Sequence, residues 1–148
     1  MAEGILKKKL AEEKIEFIQV SSAGTDSWGG CPASLSALEI GKSSGIDLRF
    51  HNSRKLTKEM LQEADLILAM SKNHLDHIRE LMQNSISKSF LLKAFPERSE
   101  EESFGIKDPI GGTLDDYRSC FLDLKQNVER IFPGLLDLAK KKTRSSSK

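Results

Sequence analysis

Asp108 and Pro109, followed by Gly111 and Gly112, are the residues of this sequence whose types and spacing best suit acid–base chemistry. Proline fixes its own φ angle and biases the residue before it toward an extended backbone, and the glycines permit a tight turn. Together they would hold the carboxyl group of Asp108 on a rigid loop, where it could protonate a leaving oxygen as a general acid. Asp-Pro and Gly-Gly are also common turn residues, so this segment alone favours a plain turn ahead of a helix.

Cysteines and histidines are the other residue types that could carry chemistry. Cys31 and Cys120 are too few for a disulfide framework in a chain of 148 residues, which indicates a reducing, cytoplasmic compartment. No C-x-x-C motif occurs, and His51, His74 and His77 form no zinc pattern with the cysteines. His74 and His77 can share one helix face, but such pairs are most often simply solvated. No metal is therefore expected.

The composition is that of one soluble globular domain. Hydrophobic residues make up 38% and charged residues 30% of the chain. The sequence has no apolar run of about 18 residues and no signal-peptide core at its start, so no membrane association is expected. The net charge of +1 argues against broad electrostatic binding to nucleic acid.

Apolar residues at helical spacing predict a helix over residues 2–14. This helix begins almost at Met1, with no Ser, Thr, Asp or Asn before it to cap its free N–H groups. Another helix is predicted over residues 34–42, and two more begin after the N-cap residues Thr57 and Ser71. Between these helices, short strands are predicted at residues 17–20, 66–70 and 90–92.

The last predicted helix has the clearest pattern. Thr113 and Asp116 resemble a capping box at its start, with Asp in place of the usual Glu or Gln. Apolar residues then step by threes and fours along one face, namely Leu114, Tyr117, Phe121, Leu124, Val128, Ile131 and Leu135. Pro133 and Gly134 are expected to end or kink the helix near Phe132, and the basic residues 140–148 are expected to form a frayed, disordered tail.

Strands that alternate with helices predict an α/β fold, with a parallel sheet covered by helices on both faces. The run at residues 66–70 is apolar without interruption, which is typical of a strand buried on both faces of such a sheet. The expected architecture is therefore a small doubly wound domain.

Six segments, taken in chain order, resemble the low-molecular-weight protein tyrosine phosphatase family. They are MAEGILKKKL, VSSAGTDSWGG, GIDLRFHNSRKLT, ADLILAMSKNH, SFLLKAF and DPIGGTLDDYRSC. The resemblance covers residues 1–132, and residues 133–148 would be a C-terminal extension. It implies a small doubly wound α/β fold and a cytoplasmic phosphomonoesterase that acts on phosphotyrosine in proteins without a cofactor.

The signature of that family is a phosphate loop of the form C-x5-R between the first strand and the first helix. The thiolate attacks phosphorus, while backbone N–H groups and the arginine hold the phosphate. The residue six positions after Cys31 is Ala37, and the residue six positions after Cys120 is Gln126, so neither cysteine fits the signature. The resemblance implies that this interior strand and the loop, roughly 15 residues, are absent from this chain. We expect either that Met1 is internal to a longer, active protein or that the chain is truncated and inactive.

The resemblance also implies roles for individual residues. Asp108 matches the general acid, which protonates the tyrosyl oxygen and then activates water against a cysteinyl-phosphate intermediate. Trp28 matches a wall residue that packs against the substrate ring. Ser22 and His51 match residues that hydrogen-bond an asparagine of the phosphate loop, so here both are expected to lack their partner.

Other functions are also compatible with these residues. A truncated chain could be a non-catalytic pseudo-phosphatase or a binding remnant. Ile110 and Gly111 follow Asp-Pro where eukaryotic-type members have aromatic residues, which leaves phosphoarginine open as a substrate. Arsenate reduction on the same fold needs further cysteines in a redox sequence, and Cys31 and Cys120 lie outside the expected arrangement.

Overall fold

A computed structural model describes residues 1–145 of the chain. In chain order its elements are α1 (Ala2–Glu12), α2 (Leu35–Ser43), α3 (Lys58–Glu63), β1 (Ile67–Ala69), α4 (Lys72–Leu81), β2 (Ser89–Leu91) and α5 (Leu114–Ser145). Short 3₁₀ segments cover Gln83–Lys88 and Glu102–Phe104.

Side-chain caps start the middle helices, as the sequence predicts. The Thr57 hydroxyl accepts a hydrogen bond from the Met60 N–H at the start of α3, and the Ser71 hydroxyl accepts one from the His74 N–H at the start of α4. Ser34 caps α2 in the same way. In contrast, α1 follows Met1 without a side-chain cap from any described residue, which confirms the expectation of free N–H groups at its start.

The described residues contain a parallel sheet of two strands. Leu68 of β1 lies opposite Phe90 of β2, and α4 forms the crossover between the strands. Leu68 and Phe90 pack against the core that includes α1, α2 and α5, whereas Ala69 and Leu91 pack with α3 and α4. Because successive strand residues point to opposite faces, the sheet is covered by helices on both sides. The predicted doubly wound α/β architecture is confirmed.

The strand predicted at residues 17–20 is wrong. Residues 15–20 run without regular structure, and Phe17 is exposed. A strand requires a neighbour for its backbone hydrogen bonds, and no described segment pairs with these residues. Their partly buried side chains, Ile15, Ile18 and Val20, still pack against the core. The apolar pattern therefore indicated burial of these side chains correctly, but it did not indicate pairing in a sheet.

The last helix, α5, is longer than predicted. It runs for 32 residues and continues through Pro133, so the end expected near Phe132 is not found. Leu135, beyond the proline, is buried in the main core, which holds the following turn in place. Residues 140–145 are helical rather than frayed, and the rest of the expected tail lies outside the described residues. None of the described helices combines the length and apolar composition that a membrane crossing requires.

Two sets of contacts fix the segment between β2 and α5. The Arg130 guanidinium donates hydrogen bonds to the carbonyl oxygens of Leu92 at 2.8 Å and Phe95 at 2.7 Å, which ties α5 to the chain just after β2. Further along, the Ile106 N–H donates to the carbonyl of Met70 at 2.7 Å. The loop around Asp108 therefore begins at the carboxyl end of β1, where ligands bind in open parallel sheets.

Candidate active site

Glu3, in the first turn of α1, lies beside two of the residues to which the family resemblance assigns a role. Its carboxylate accepts hydrogen bonds from the Lys7 ammonium at 2.5 Å and from the Ser22 hydroxyl. The His51 Nδ1 lies 3.9 Å from the same carboxylate. Ser22 and His51 are far apart in sequence, yet both face one side chain at the start of α1. Ser22 and His51, for which the resemblance implies an asparagine of the phosphate loop as partner, here lie beside Glu3 instead.

The Glu3 carboxylate is stabilised in its ionised form. Burial raises its pKa, but the hydrogen bonds from Lys7 and Ser22, with the positive charge of Lys7, outweigh burial and lower the pKa overall. The Glu3 side chain is only 16% exposed, whereas its partner Lys7 is 55% exposed and remains in contact with water. A fixed negative charge therefore lies beside Ser22 and His51.

We predict that Glu3 contributes to stability above about pH 5 and that this contribution is lost as the pH falls. A carboxyl group whose pKa is lower in the folded than in the unfolded state stabilises the fold only while it is ionised. The difference in unfolding free energy between the parent chain and Glu3→Gln should therefore shrink between about pH 5 and about pH 3 in urea titrations. Glu12→Gln, which changes an exposed carboxylate of the same helix, is the control. A difference for Glu3→Gln that stays constant over this range would contradict the prediction.

The Asp108 loop is a compact turn. The Asp108 Oδ1 accepts a hydrogen bond from the Ile110 N–H at 2.9 Å, and the Gly112 N–H donates to the Pro109 carbonyl at 2.9 Å. Gly111 has a φ of 73°, a conformation that favours glycine. The Asp108 carboxyl group is exposed to solvent. The loop therefore presents a carboxyl group to solvent from a hydrogen-bonded turn, as the sequence predicts.

Cys120 of α5 connects the Asp108 loop with the start of α1. Burial raises the pKa of the Cys120 thiol, the Met1 amino group opposes this shift, and the Asp108 carboxylate adds to it. Asp108 and Met1 thus both lie within electrostatic range of one thiol. The Asp108 loop and the Glu3 cluster (Glu3, Ser22 and His51) consequently lie at the same end of α1.

Trp28 stands apart from these contacts. It lies in a loop that is tied to residues 52–55 by backbone bridges, Gly24 with Lys55 and Pro32 with Asn52. The indole is 99% exposed and touches almost nothing in the chain. Trp28 is therefore not a core residue, and the structure does not bring it together with Asp108, Ser22 or His51.

No group of three or more His, Cys, Asp or Glu side chains that could hold a metal ion occurs within residues 1–145. His74 and His77 are partly buried on α4. Cys31 and Cys120 are both free thiols, one exposed and one buried. The functional groups around the start of α1 are therefore the Glu3 and Asp108 carboxylates, the Ser22 hydroxyl, the His51 imidazole, the Cys120 thiol and backbone N–H groups.

Comparison with known protein families identifies the family to which this chain belongs. The family model for low molecular weight phosphotyrosine protein phosphatase matches residues 1–144. The chain belongs to this family. Among curated relatives, a protein-arginine-phosphatase from Geobacillus stearothermophilus is 32% identical over 131 residues, which cover 88% of this chain and 83% of that protein. The Escherichia coli K12 low molecular weight protein-tyrosine-phosphatase Etp is 28% identical, over 77% of this chain and 74% of its own length.

Solved phosphatases share the fold. A low molecular weight protein tyrosine phosphatase from T. tengcongensis superposes with a TM-score of 0.81 and 29% identity, over 90% of this chain and 88% of that one. The YwlE arginine phosphatase from Geobacillus stearothermophilus gives 0.77 and 30% identity, over 97% of this chain and 84% of that one. The α/β fold of this chain is thus the fold of these phosphatases.

Glu3 is the residue at this site that sequence reasoning missed. The signal available was an acidic side chain in the first turn of α1, four residues before Lys7. Such a pair normally indicates only a surface ion pair of an isolated helix. The partners Ser22 and His51 come from distant loops, and their approach to Glu3 is a consequence of tertiary folding.

Proposed function

We propose that this fold hydrolyses phosphomonoesters on proteins, with Asp108 as the proton donor and the Glu3 cluster as support for the phosphate site. The observation that carries the proposal is the position of the Asp108 loop and the Glu3 cluster at one end of α1, in a chain of a phosphatase family. The first N–H groups of α1 are free of side-chain caps from the described residues. A helix start of this kind favours an anion such as phosphate.

The proposed reaction has two steps. A cysteine thiolate attacks phosphorus, so that a sulfur–phosphorus bond forms, the bond to the leaving oxygen breaks, and that oxygen takes the proton of Asp108. Asp108, now a carboxylate, then accepts a proton from water as the water attacks phosphorus and the sulfur–phosphorus bond breaks. A solved mutant of the YwlE arginine phosphatase, in which serine replaces cysteine, carries a phosphorylated active-site serine. That relative supports a covalent route on this fold.

Neither cysteine of the 148 residues suits the role of nucleophile. Cys120 is buried and burial raises its pKa, which disfavours the reactive thiolate. Cys31 is exposed, but Ala37 occupies the position where the signature requires arginine. The proposed reaction therefore requires a C-x5-R loop that these residues do not contain.

We predict that the purified 148-residue chain leaves a chromogenic aryl phosphate uncleaved. The extended chain, meaning the same residues preceded by a strand and a C-x5-R loop of roughly 15 residues, should cleave it without added metal. The expected difference in kcat is at least about 10⁴-fold, since removal of a covalent nucleophile costs about 10⁶-fold in well-studied hydrolases. The control is the extended chain with serine in place of the loop cysteine. Turnover by the 148 residues alone, or an inactive extended chain that folds, would contradict the proposal and favour a non-catalytic binding role.

Phosphoarginine is the second candidate substrate, and one observation favours it. The curated relative with 32% identity is a protein-arginine-phosphatase, and Ile110 and Gly111 put no aromatic ring beside Asp108. In this reaction the bond from phosphorus to a guanidino nitrogen would break, and that nitrogen would take the proton of Asp108. The kcat/KM values of the extended chain for a phosphotyrosine peptide and a phosphoarginine peptide of the same sequence would decide between the two substrates.

A further inference from the structure

Asp116, in the first turn of α5, contacts both ends of the Asp108 loop. On the far side of the loop, its Oδ2 accepts hydrogen bonds from the backbone N–H and the hydroxyl of Thr113, each at 2.8 Å. On the near side, its Oδ1 lies 3.9 Å from the Lys107 ammonium. Residues 108–112 lie between these two contacts. One carboxylate thus bridges the residues that flank the turn.

The turn itself is packed against Asp116. A Cβ atom at Gly112 would lie 2.8 Å from the Asp116 Oδ2 and 2.9 Å from the Pro109 carbonyl oxygen, so only glycine fits between them. The Gly112 N–H donates to that same carbonyl of Pro109. Contact is therefore continuous from the Asp116 carboxylate, through Gly112 and Pro109, to the residue that carries the proposed acid.

We propose that Asp116 is a positioning residue for Asp108, and that it fixes the turn that holds the acid while it caps α5. This inference rests on the proposed function, since it assumes that Asp108 is the proton donor. A helix cap requires only the hydrogen bonds between Asp116 and Thr113. Asp116 also lies beside Gly112 and Lys107, so its contacts extend to the Asp108 loop. Asp116 does not contact substrate in this scheme and acts only through the turn.

The charge state of Asp116 agrees with this role. The hydrogen bond from the Thr113 backbone, and then the one from its side chain, lower the pKa of the Asp116 carboxyl group against the effect of desolvation, and Lys107 lowers it further. The carboxylate therefore remains an acceptor at neutral pH. Its neighbour Asp115 faces away, is 85% exposed and pairs with Arg118, which makes it a matched control.

The test is nuclear magnetic resonance of the 148-residue chain, with the Ile110 amide as the probe. This amide donates to the Asp108 carboxylate, so its exchange rate with water reports how firmly the turn holds that group. Asp116→Ala is expected to raise the Ile110 exchange rate by about tenfold, because the turn opens more often when its anchor is removed. Asp115→Ala should change the rate by less than about twofold.

A second pair of variants covers the case in which Asp116→Ala disturbs the whole helix. Thr113→Ser keeps the hydroxyl that donates to Asp116 and should leave Ile110 as in the parent chain, whereas Thr113→Val should raise its exchange rate. The amide of Val128, buried in the middle of α5, monitors the helix in every variant. If Ile110 exchange stays within about twofold of the parent in Asp116→Ala, or changes only in parallel with Val128 in all variants, the proposal is overturned.

This readout is independent of catalysis. An extended chain in which Asp108 proves dispensable would defeat the proposed acid and leave the result at Ile110 unchanged. A rigid Ile110 amide in Asp116→Ala would defeat the positioning role and leave the phosphatase proposal standing. The two failures are therefore distinguishable.

Discussion

In the extended chain, Asp108→Asn is expected to lower kcat for an aryl phosphate by about 10²–10⁴-fold, the usual contribution of a positioned general acid. Asparagine has nearly the size of aspartate, and its amide oxygen can still accept the Ile110 N–H, so the turn should keep its shape. What it cannot do is carry the proton that the leaving oxygen needs. Steady-state kinetics with a chromogenic aryl phosphate measure the loss.

A series of leaving groups separates loss of the acid from loss of the fold. An ester of a weakly acidic phenol needs the proton most, so its cleavage should suffer most in Asp108→Asn. An ester of a strongly acidic phenol should be cleaved at a rate closer to that of the parent. Asp115→Asn, on the exposed side of the first turn of α5, is the control and should change neither rate. An equal loss over the whole series would exclude proton donation by Asp108.

The helix starts were predictable because capping is local chemistry. Thr57 and Ser71 each bond the N–H three residues further on, and nothing distant in the chain is required. The buried strand at residues 66–70 was predictable for a related reason. Its unbroken apolar run suits a strand with helices on both faces, and β1 lies there with Leu68 and Ala69 in opposite core clusters.

The segment at residues 17–20 shows a feature that its local sequence cannot predict. Its apolar residues predict burial correctly, since Ile18 and Val20 pack against the core. Strand formation, however, depends on a second segment at hydrogen-bonding distance, and the sequence of the first segment carries no information about that neighbour. The continuation of α5 past Pro133 has a similar origin. The cost of a proline inside a helix, about 3 kcal/mol, is opposed here by tertiary packing of Leu135.

The residues of the candidate site also differ in how far the local sequence predicts them. The turn around Asp108 could be predicted from its own neighbours, because Pro109 and the two glycines are its local cause, whereas the acid role was implied by the resemblance to the family. Ser22 and His51 have no local signal, and only the resemblance to a family drew attention to them. Glu3 is the residue that both of them approach, and its contacts depend on one loop that precedes α2 in the sequence and one that follows it. Local chemistry therefore predicts the turn that carries Asp108, whereas the proposed support of a phosphate site requires the folded chain.

Leu91→Ala is expected to destabilise the fold by about 2–5 kcal/mol, the usual range for a fully buried leucine. Leu91 is 0% exposed at the end of β2, opposite Ala69 of β1. It packs with Leu61 of α3 and Leu75 of α4, so one side chain links both strands with two helices. Each strand has three residues, and the sheet therefore depends on such packing more than on its hydrogen-bond ladder.

Urea unfolding of the 148-residue chain, followed by circular dichroism, measures this loss. A small domain has about 5–15 kcal/mol of stability in total, so the midpoint for Leu91→Ala should move far toward zero urea. Leu122→Ala is the control, because that leucine is 58% exposed on α5 and its removal should change stability by less than about 0.5 kcal/mol. Leu91→Met, which nearly conserves volume, should cost less than about 1.5 kcal/mol. Similar midpoints for the two alanine variants would mean that the core on the α3–α4 face contributes little, and that the face with α1 and α5 alone holds the site together.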